Sequence, residues 1–234
     1  MRCGLYGKLP SKRDFIALYA PRGFLDVWEP WMQAGVSASR QRLADDWRQA
    51  FLTAPIWRFW LGAGVCGMAV TGAFMSSLDG VGRYFPLTLF ACADGEAIIP
   101  PPELNAQDEW FAAAEDLLLS SLDQDATFEA VSATLDGLSP PSDRLAVSPP
   151  DDPIVRAQSM LAVPGRQRAF PDLFASMRVA DHAAVYAAAT FWWTIGGQDY
   201  EPLALGGRGM PDPFLFADML TGRLVTDPAF ASGA

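Results

Sequence analysis

Residues 72–90 read Gly-Ala-Phe-Met-Ser-Ser-Leu-Asp-Gly-Val-Gly-Arg-Tyr-Phe-Pro-Leu-Thr-Leu-Phe, two apolar runs joined by a short polar turn. Asp79-Gly80 is a tight-turn pair, because glycine takes up positive φ without a Cβ clash. The spacing therefore predicts an antiparallel hairpin with strands at 69–78 and 84–92. Phe85 to Cys92 is almost wholly apolar, as in a central strand covered on both faces. Pro86 cannot donate to a ladder, so it belongs at the start of that strand or at a bulge. The turn then lies at the margin of a sheet, with Asp79, Arg83 and Tyr84 where a partner can reach them.

Working outward toward the N-terminus, residues 3–8 form a short strand, and the Pro10, Lys12, Arg13, Asp14 run that follows marks a loop. Pro21 opens a long helical pattern. Trp28, Met32, Val36, Ser39, Leu43, Trp47 and Ala50 recur at helical steps and make one face, with Pro30 near its start or kinking it. Trp57 to Leu61 reads as an aromatic-rich strand ended by Gly62, Gly64 and Gly67.

Toward the C-terminus, Asn105 is placed to cap a helix running through Ser121, with Asp108 and Glu109 in its favourable first turn. A second helix covers Thr127 to Leu135 and stops at Gly137. Residues 138–153 hold five prolines and no periodicity, which reads as a surface loop and a candidate boundary of a minor lobe within one domain spanning 1–234. A helical stretch near 173–184, a strand over 187–195 and a short helix from Pro213 through Leu220 complete the pattern. Strands flanked by helices in this order predict the α/β class, with a mixed sheet and helices on both faces.

The formal charge is −10, and it is unevenly placed. Residues 1–60 carry nine Lys/Arg against five Asp/Glu, whereas residues 94–152 carry fourteen acids opposed by Arg144 alone. Such a segment repels nucleic acid and anionic lipid; it is either a solvated helical face or a surface for a basic protein. The largest basic cluster, Lys8, Lys12 and Arg13, is too small for a nucleic-acid stripe. Cys3, Cys66 and Cys92 lie far apart, so three buried free thiols in a reducing compartment are expected. The N-terminus breaks with charge too early for a signal peptide, and no apolar run reaches the ~18 residues of a membrane helix. A soluble, cytoplasmic protein without membrane insertion is the expectation.

Tests for chemistry return little. Gly4-Leu5-Tyr6-Gly7-Lys8-Leu9 has two residues between its glycines where a phosphate loop needs four, and Leu9 stands where that loop needs a hydroxyl. A nucleophilic triad must use His182, which sits in an alanine-rich stretch without nucleophile-elbow glycines. Zinc ligation lacks a ligand pattern. Asp79, Asp94, Asp151 and Asp152 remain a carboxylate set for magnesium if they converge. Asp79 and Arg83, four residues apart across a turn, either form an ion pair that fixes the loop or leave Arg83 pointing outward with Tyr84 as an interaction spot.

Several segments in order resemble the TagF family, also called ImpM, of bacterial type VI secretion accessory proteins. They are Gly4 to Pro10 with Asp14-Phe15, Trp28 to Met32, Ala54 to Phe59, Asp79 to Leu87, and Phe191 to Thr194. The resemblance implies a three-layer α/β/α sandwich and a non-enzymatic regulator, with no catalytic residues, cofactor or metal. It implies action after translation on assembly or firing of the secretion machine, through that system's forkhead-associated scaffold protein. The partner-binding residues chosen are Lys8, Pro10, Asp14, Phe15, Asp79, Arg83 and Tyr84, since both loops flank strand ends. A small-molecule or nucleotide-responsive domain, or a carboxylate-magnesium hydrolase, is the alternative reading; the oligomeric state is left open.

Overall fold

The computed structural model describes residues 1–95, 97–146, 154–157, 160–164, 168–197 and 199–224. In chain order the elements are β1 (Arg2–Gly7), β2 (Ile16–Leu18), α1 (Arg22–Leu43), α2 (Trp47–Thr53), β3 (Trp57–Leu61), α3 (Ala63–Cys66), β4 (Val70–Met75) and β5 (Leu87–Cys92). Then follow α4 (Asp108–Ser120), α5 (Phe128–Gly137), β6 (Val155–Ala157), β7 (Met160–Ala162), α6 (Phe170–Ala180), α7 (His182–Val185), β8 (Ala189–Thr194), β9 (Leu203–Arg208) and α8 (Leu215–Thr221).

Seven strands form one sheet in the order β2-β1-β5-β4-β3-β8-β9, and β6 with β7 makes a separate hairpin. The predicted hairpin is present as β4 and β5, registered from Val70 opposite Cys92 to Met75 opposite Leu87. The continuous ladder is shorter at its tip than the apolar runs suggest: beyond Met75 and Leu87 the pairing is reduced to an isolated antiparallel bridge of Leu78 with Tyr84, at the predicted strand ends. The mixed sheet expected from the helix-strand order is not found: every strand pair in the sheet is antiparallel. For β3 and β4 the physical reason lies in the connection. A parallel crossover needs about a dozen residues or more, and α3 with its flanking turns is too short to carry β3 into a parallel neighbour.

The strands are two-faced in their side chains. Trp57, Phe59 and Leu61 of β3, Val70 and Phe74 of β4, Phe90 of β5 and Trp192 of β8 point into one apolar cluster with Phe24, Trp28, Met32, Trp47, Phe51 and Phe216 from α1, α2 and α8. Trp60, Ala73, Met75, Leu87, Leu89 and Leu5 point into the other, with Trp110, Phe111, Leu117 and Leu118 of α4 and Val131 and Leu135 of α5. Trp28 is the centre of the first cluster: it stacks on Phe59 at 4.3 Å and on Trp192 at 5.8 Å, and its Nε1 donates to Thr88 Oγ1 at 3.1 Å. Complete burial of an aromatic ring with its polar handle satisfied stabilises by about 1.5–3 kcal/mol.

Local signals account for most boundaries. Pro21 occupies the N-cap position of α1, and the helix continues through Pro30 on its exposed face. It ends earlier than its apolar stripe, because Ala44 adopts a positive φ of 45° and Trp47 and Phe51 belong to a second helix. Thr127 caps α5, its Oγ1 accepting the Ala130 N–H at 3.1 Å. Asn105 does not cap α4: the helix starts at Asp108, Gln107 holds a φ of 56°, and the Asn105 side chain braces it by accepting the Gln107 N–H at 3.0 Å. The helix expected over 173–184 breaks at Asp181 into α6 and α7. Asp151 and Asp152, with the Pro-rich 147–153 part of the loop, lie outside the described residues.

Candidate functional site

The β4–β5 tip is built around Asp79. Gly82 N–H donates to Asp79 O at 2.9 Å and Asp79 N–H to Arg83 O at 3.1 Å, which closes a three-residue loop. The positive φ required falls on Gly82, at 83°, and not on Gly80 as the Asp-Gly pair suggests. Gly80 serves another purpose. Its N–H donates to Lys12 O at 2.7 Å, and a Cβ there would stand 3.0 Å from Pro10 O, so the glycine admits the β1–β2 loop against the tip.

Four donors converge on the Asp79 carboxylate. The backbone N–H groups of Arg83 and Val81 reach Oδ1 at 2.9 and 3.1 Å, while Arg83 Nε and Lys8 Nζ reach Oδ2 at 2.6 and 2.9 Å. The side chain of Asp79 is 0% exposed and that of Lys8 8%. Burial alone pushes the carboxyl pKa up. The Arg83 N–H, the Lys8 ammonium, the Arg83 guanidinium and the Val81 N–H outweigh it and hold the group well below the usual carboxylate range. A carboxylate so engaged has no lone pair left for a cation and no proton affinity for base catalysis at neutral pH. The Lys8 side chain points inward to this pair, which removes it from any phosphate-loop role.

Of the residues singled out by sequence, the structure therefore brings Lys8, Asp79 and Arg83 into contact. Phe15 joins them, its ring 5.2 Å from Lys8 Nζ and 4.8 Å from the Phe85 ring centroid. Pro10 is half-buried beside Gly80, and Asp14 is exposed on the loop crest. Tyr84 departs from the expected outward position: its ring packs edge-on against Trp47 and Phe51, turned toward α2. Arg83 makes the loop-fixing ion pair and still faces solvent, without Tyr84 beside it. Nε fixes Asp79, an Nη donates to the Arg13 carbonyl, and the side chain is still 58% exposed.

The result is a rigid crest presenting Arg13, Arg83, Phe15 and Val81, the last two 48% and 55% exposed. Val81 and the Arg13 carbonyl carry no sequence signal; their place on the crest follows from the three-dimensional packing alone. The charge asymmetry is also partly consumed within the fold. Arg2 meets Asp136 at 2.9 Å, Lys12 approaches Glu129 at 3.9 Å, and Arg58 meets Glu115 at 2.5 Å and Asp108 at 3.8 Å, so the basic first third grips the acidic middle. The cysteines are free and buried. No helix among the described residues is long and apolar enough to cross a membrane, and none of their His, Cys, Asp and Glu side chains form a group able to hold a metal ion.

None of the curated proteins compared with the chain matches it. The crystal structure of PA0076 from Pseudomonas aeruginosa PAO1 is similar, with a TM-score of 0.75 and 30% sequence identity over 97% of each chain. The sequence model of the TagF N-terminal domain, described as type VI secretion system-associated, matches residues 4–138, a span holding β1 to β5, α4, α5 and both loops of the crest. The chain belongs to the TagF family of type VI secretion system-associated proteins.

Proposed function

We propose that this chain is a non-enzymatic accessory regulator of a type VI secretion system, working in the cytoplasm after translation. It binds another protein, the forkhead-associated scaffold component, and restrains assembly or firing. The observation that carries the reading is the crest itself. A buried ion pair and a backbone bond between two loops place Phe15, Val81 and Arg83 beside Arg13 on one crest, a composition suited to an interaction hot spot. The saturated Asp79 carboxylate favours this docking role over a carboxylate-magnesium hydrolase. We read the helices on the two sides of the sheet as a three-layer α/β/α sandwich with the crest at one end.

The test pairs binding with secretion. Purified chain should capture the forkhead-associated component, and Phe15→Ala with Arg83→Ala should lose that capture while keeping its fold. Deleting the gene should raise effector secretion, and overexpression should lower it. Unaltered secretion in both strains, or capture indifferent to the double variant, refutes the reading.

A further inference from the structure

The two margins of the sheet are built differently. β2 is three residues long and offers little template at its free side. β9 is six residues long, Leu203–Arg208, pairs among the described residues with β8 alone, and contains neither proline nor lysine nor a bulge. Natural sheets shield such margins, because a row of unpaired N–H and C=O groups recruits another strand.

The ladder fixes which residues turn outward. Gly62 N–H donates to Ala189 O, so Ala189, Phe191 and Trp193 bond toward β3, and Thr190, Trp192 and Thr194 bond toward β9. Their partners Gly207, Leu205 and Leu203 face β8. Ala204, Gly206 and Arg208 therefore aim their backbone groups away from the sheet, and among the described residues no strand receives them. Gly206 and Gly207 bring no side chain to this margin, which leaves room for another backbone to come close.

A second feature adjoins the margin. Phe191, Trp193, Ala204, Pro102, Ala106 and Asp108 line an apolar slot of about 290 Å³ on the α4 side, with the Asp108 carboxylate 81% exposed at its rim. We propose that β9 is the docking edge for a second copy of this chain, joined antiparallel across a two-fold axis at Gly206. In that register Gly206 bonds to Gly206 of the second copy, and Ala204 and Arg208 exchange bonds with its Arg208 and Ala204. Opposed residues share a face of the sheet. Arg208 of each copy thus lands beside Ala204 of the other, at the slot rim, within the field of Asp108. The edge offers one charge of each sign, Arg208 on β9 and Asp108 at the neighbouring slot on α4, so two copies in this register pair them reciprocally, which selects a second copy over an arbitrary strand.

Sedimentation velocity over a concentration series tests this. The wild-type chain should show a monomer–dimer equilibrium. Ala204→Pro removes an N–H that the ladder does not use, so it should leave the melting temperature nearly unchanged and abolish the dimer. Arg208→Glu should weaken association at least about tenfold, and adding Asp108→Arg should restore it. Arg208 and Asp108 are exposed, so this pair of variants decides the matter even if the proline variant does not fold. A wild-type chain that remains monomeric, a dimer untouched by Ala204→Pro, or a charge reversal without rescue overturns the proposal.

Discussion

Lys8 Nζ and Asp79 Oδ2 meet at 2.9 Å with both side chains almost wholly removed from water, although 70 residues of chain separate them. Attraction in that setting returns roughly what desolvation costs. Its value lies in position: the pair ties the end of β1 to the β4–β5 tip. Removing one partner strands the other, and that asymmetry is measurable.

Asp79→Asn should lower unfolding free energy by about 3–5 kcal/mol, because a buried ammonium is left without its counter-ion. Arg83→Ala should cost less than about 1 kcal/mol, since most of that side chain is in solvent. Urea unfolding of the two variants checks the ranking; equal losses would show that Lys8 contributes nothing special.

Acid should act through the same group. The folded pKa of Asp79 lies below its unfolded value of about 3.9, so its contribution is complete above that value and is lost as pH falls toward the folded pKa. Wild-type stability should decline between about pH 5 and pH 2 more steeply than that of Asp79→Asn. Parallel slopes in denaturant titrations at stepped pH would remove Asp79 from the account.

Glycine substitutions should separate turn strain from collision. Gly82→Ala meets nothing within 4 Å and suffers only its φ of 83°, a loss of about 1–2 kcal/mol. Gly7→Ala drives a Cβ into the Pro86 carbonyl oxygen, a backbone atom that cannot swing aside, at a φ of 133°. That variant should unfold far more readily, as thermal denaturation will show.

The thiols should be silent. Burial, with Cys66, Cys3 and Asp94 nearby, pushes Cys92 up to about 12, and burial raises Cys3 and Cys66 as well. A thiol reagent at mildly alkaline pH should leave the native chain unlabelled and react with Cys3, Cys66 and Cys92 after denaturation. Rapid native labelling would place a thiol at the surface.

What the sequence disclosed follows the range of each force. Apolar periodicity and turn residues act within a few positions, so the β4–β5 hairpin, β3, α1 and α5 were readable, as was the TagF resemblance. β9 was not: Leu203 to Arg208 has two glycines and no β-branched residue, and it is extended because β8 offers it a ladder. At the crest, the local Asp79–Arg83 pair was visible, whereas Lys8 as its second cation and Tyr84 turned toward Trp47 depend on contacts distant in sequence. The antiparallel β3–β4 pairing was legible in principle, since eight residues between Leu61 and Val70 leave no room for a crossover.

The family-matched stretch ends at residue 138, yet the sheet and its larger apolar cluster close only with β8 and α8. Trp57 Nε1 donates to Met219 O at 2.9 Å, Trp31 Nε1 donates to Pro211 O at 2.8 Å, and Trp28 rests on Trp192. A nascent chain leaving the ribosome would hold those indoles without their partners until β8 and α8 emerge. Maturation of the first half must wait for those elements, and a chain cut short after Leu138 would expose Trp28, Trp31 and Trp57 where β8 and α8 now cover them.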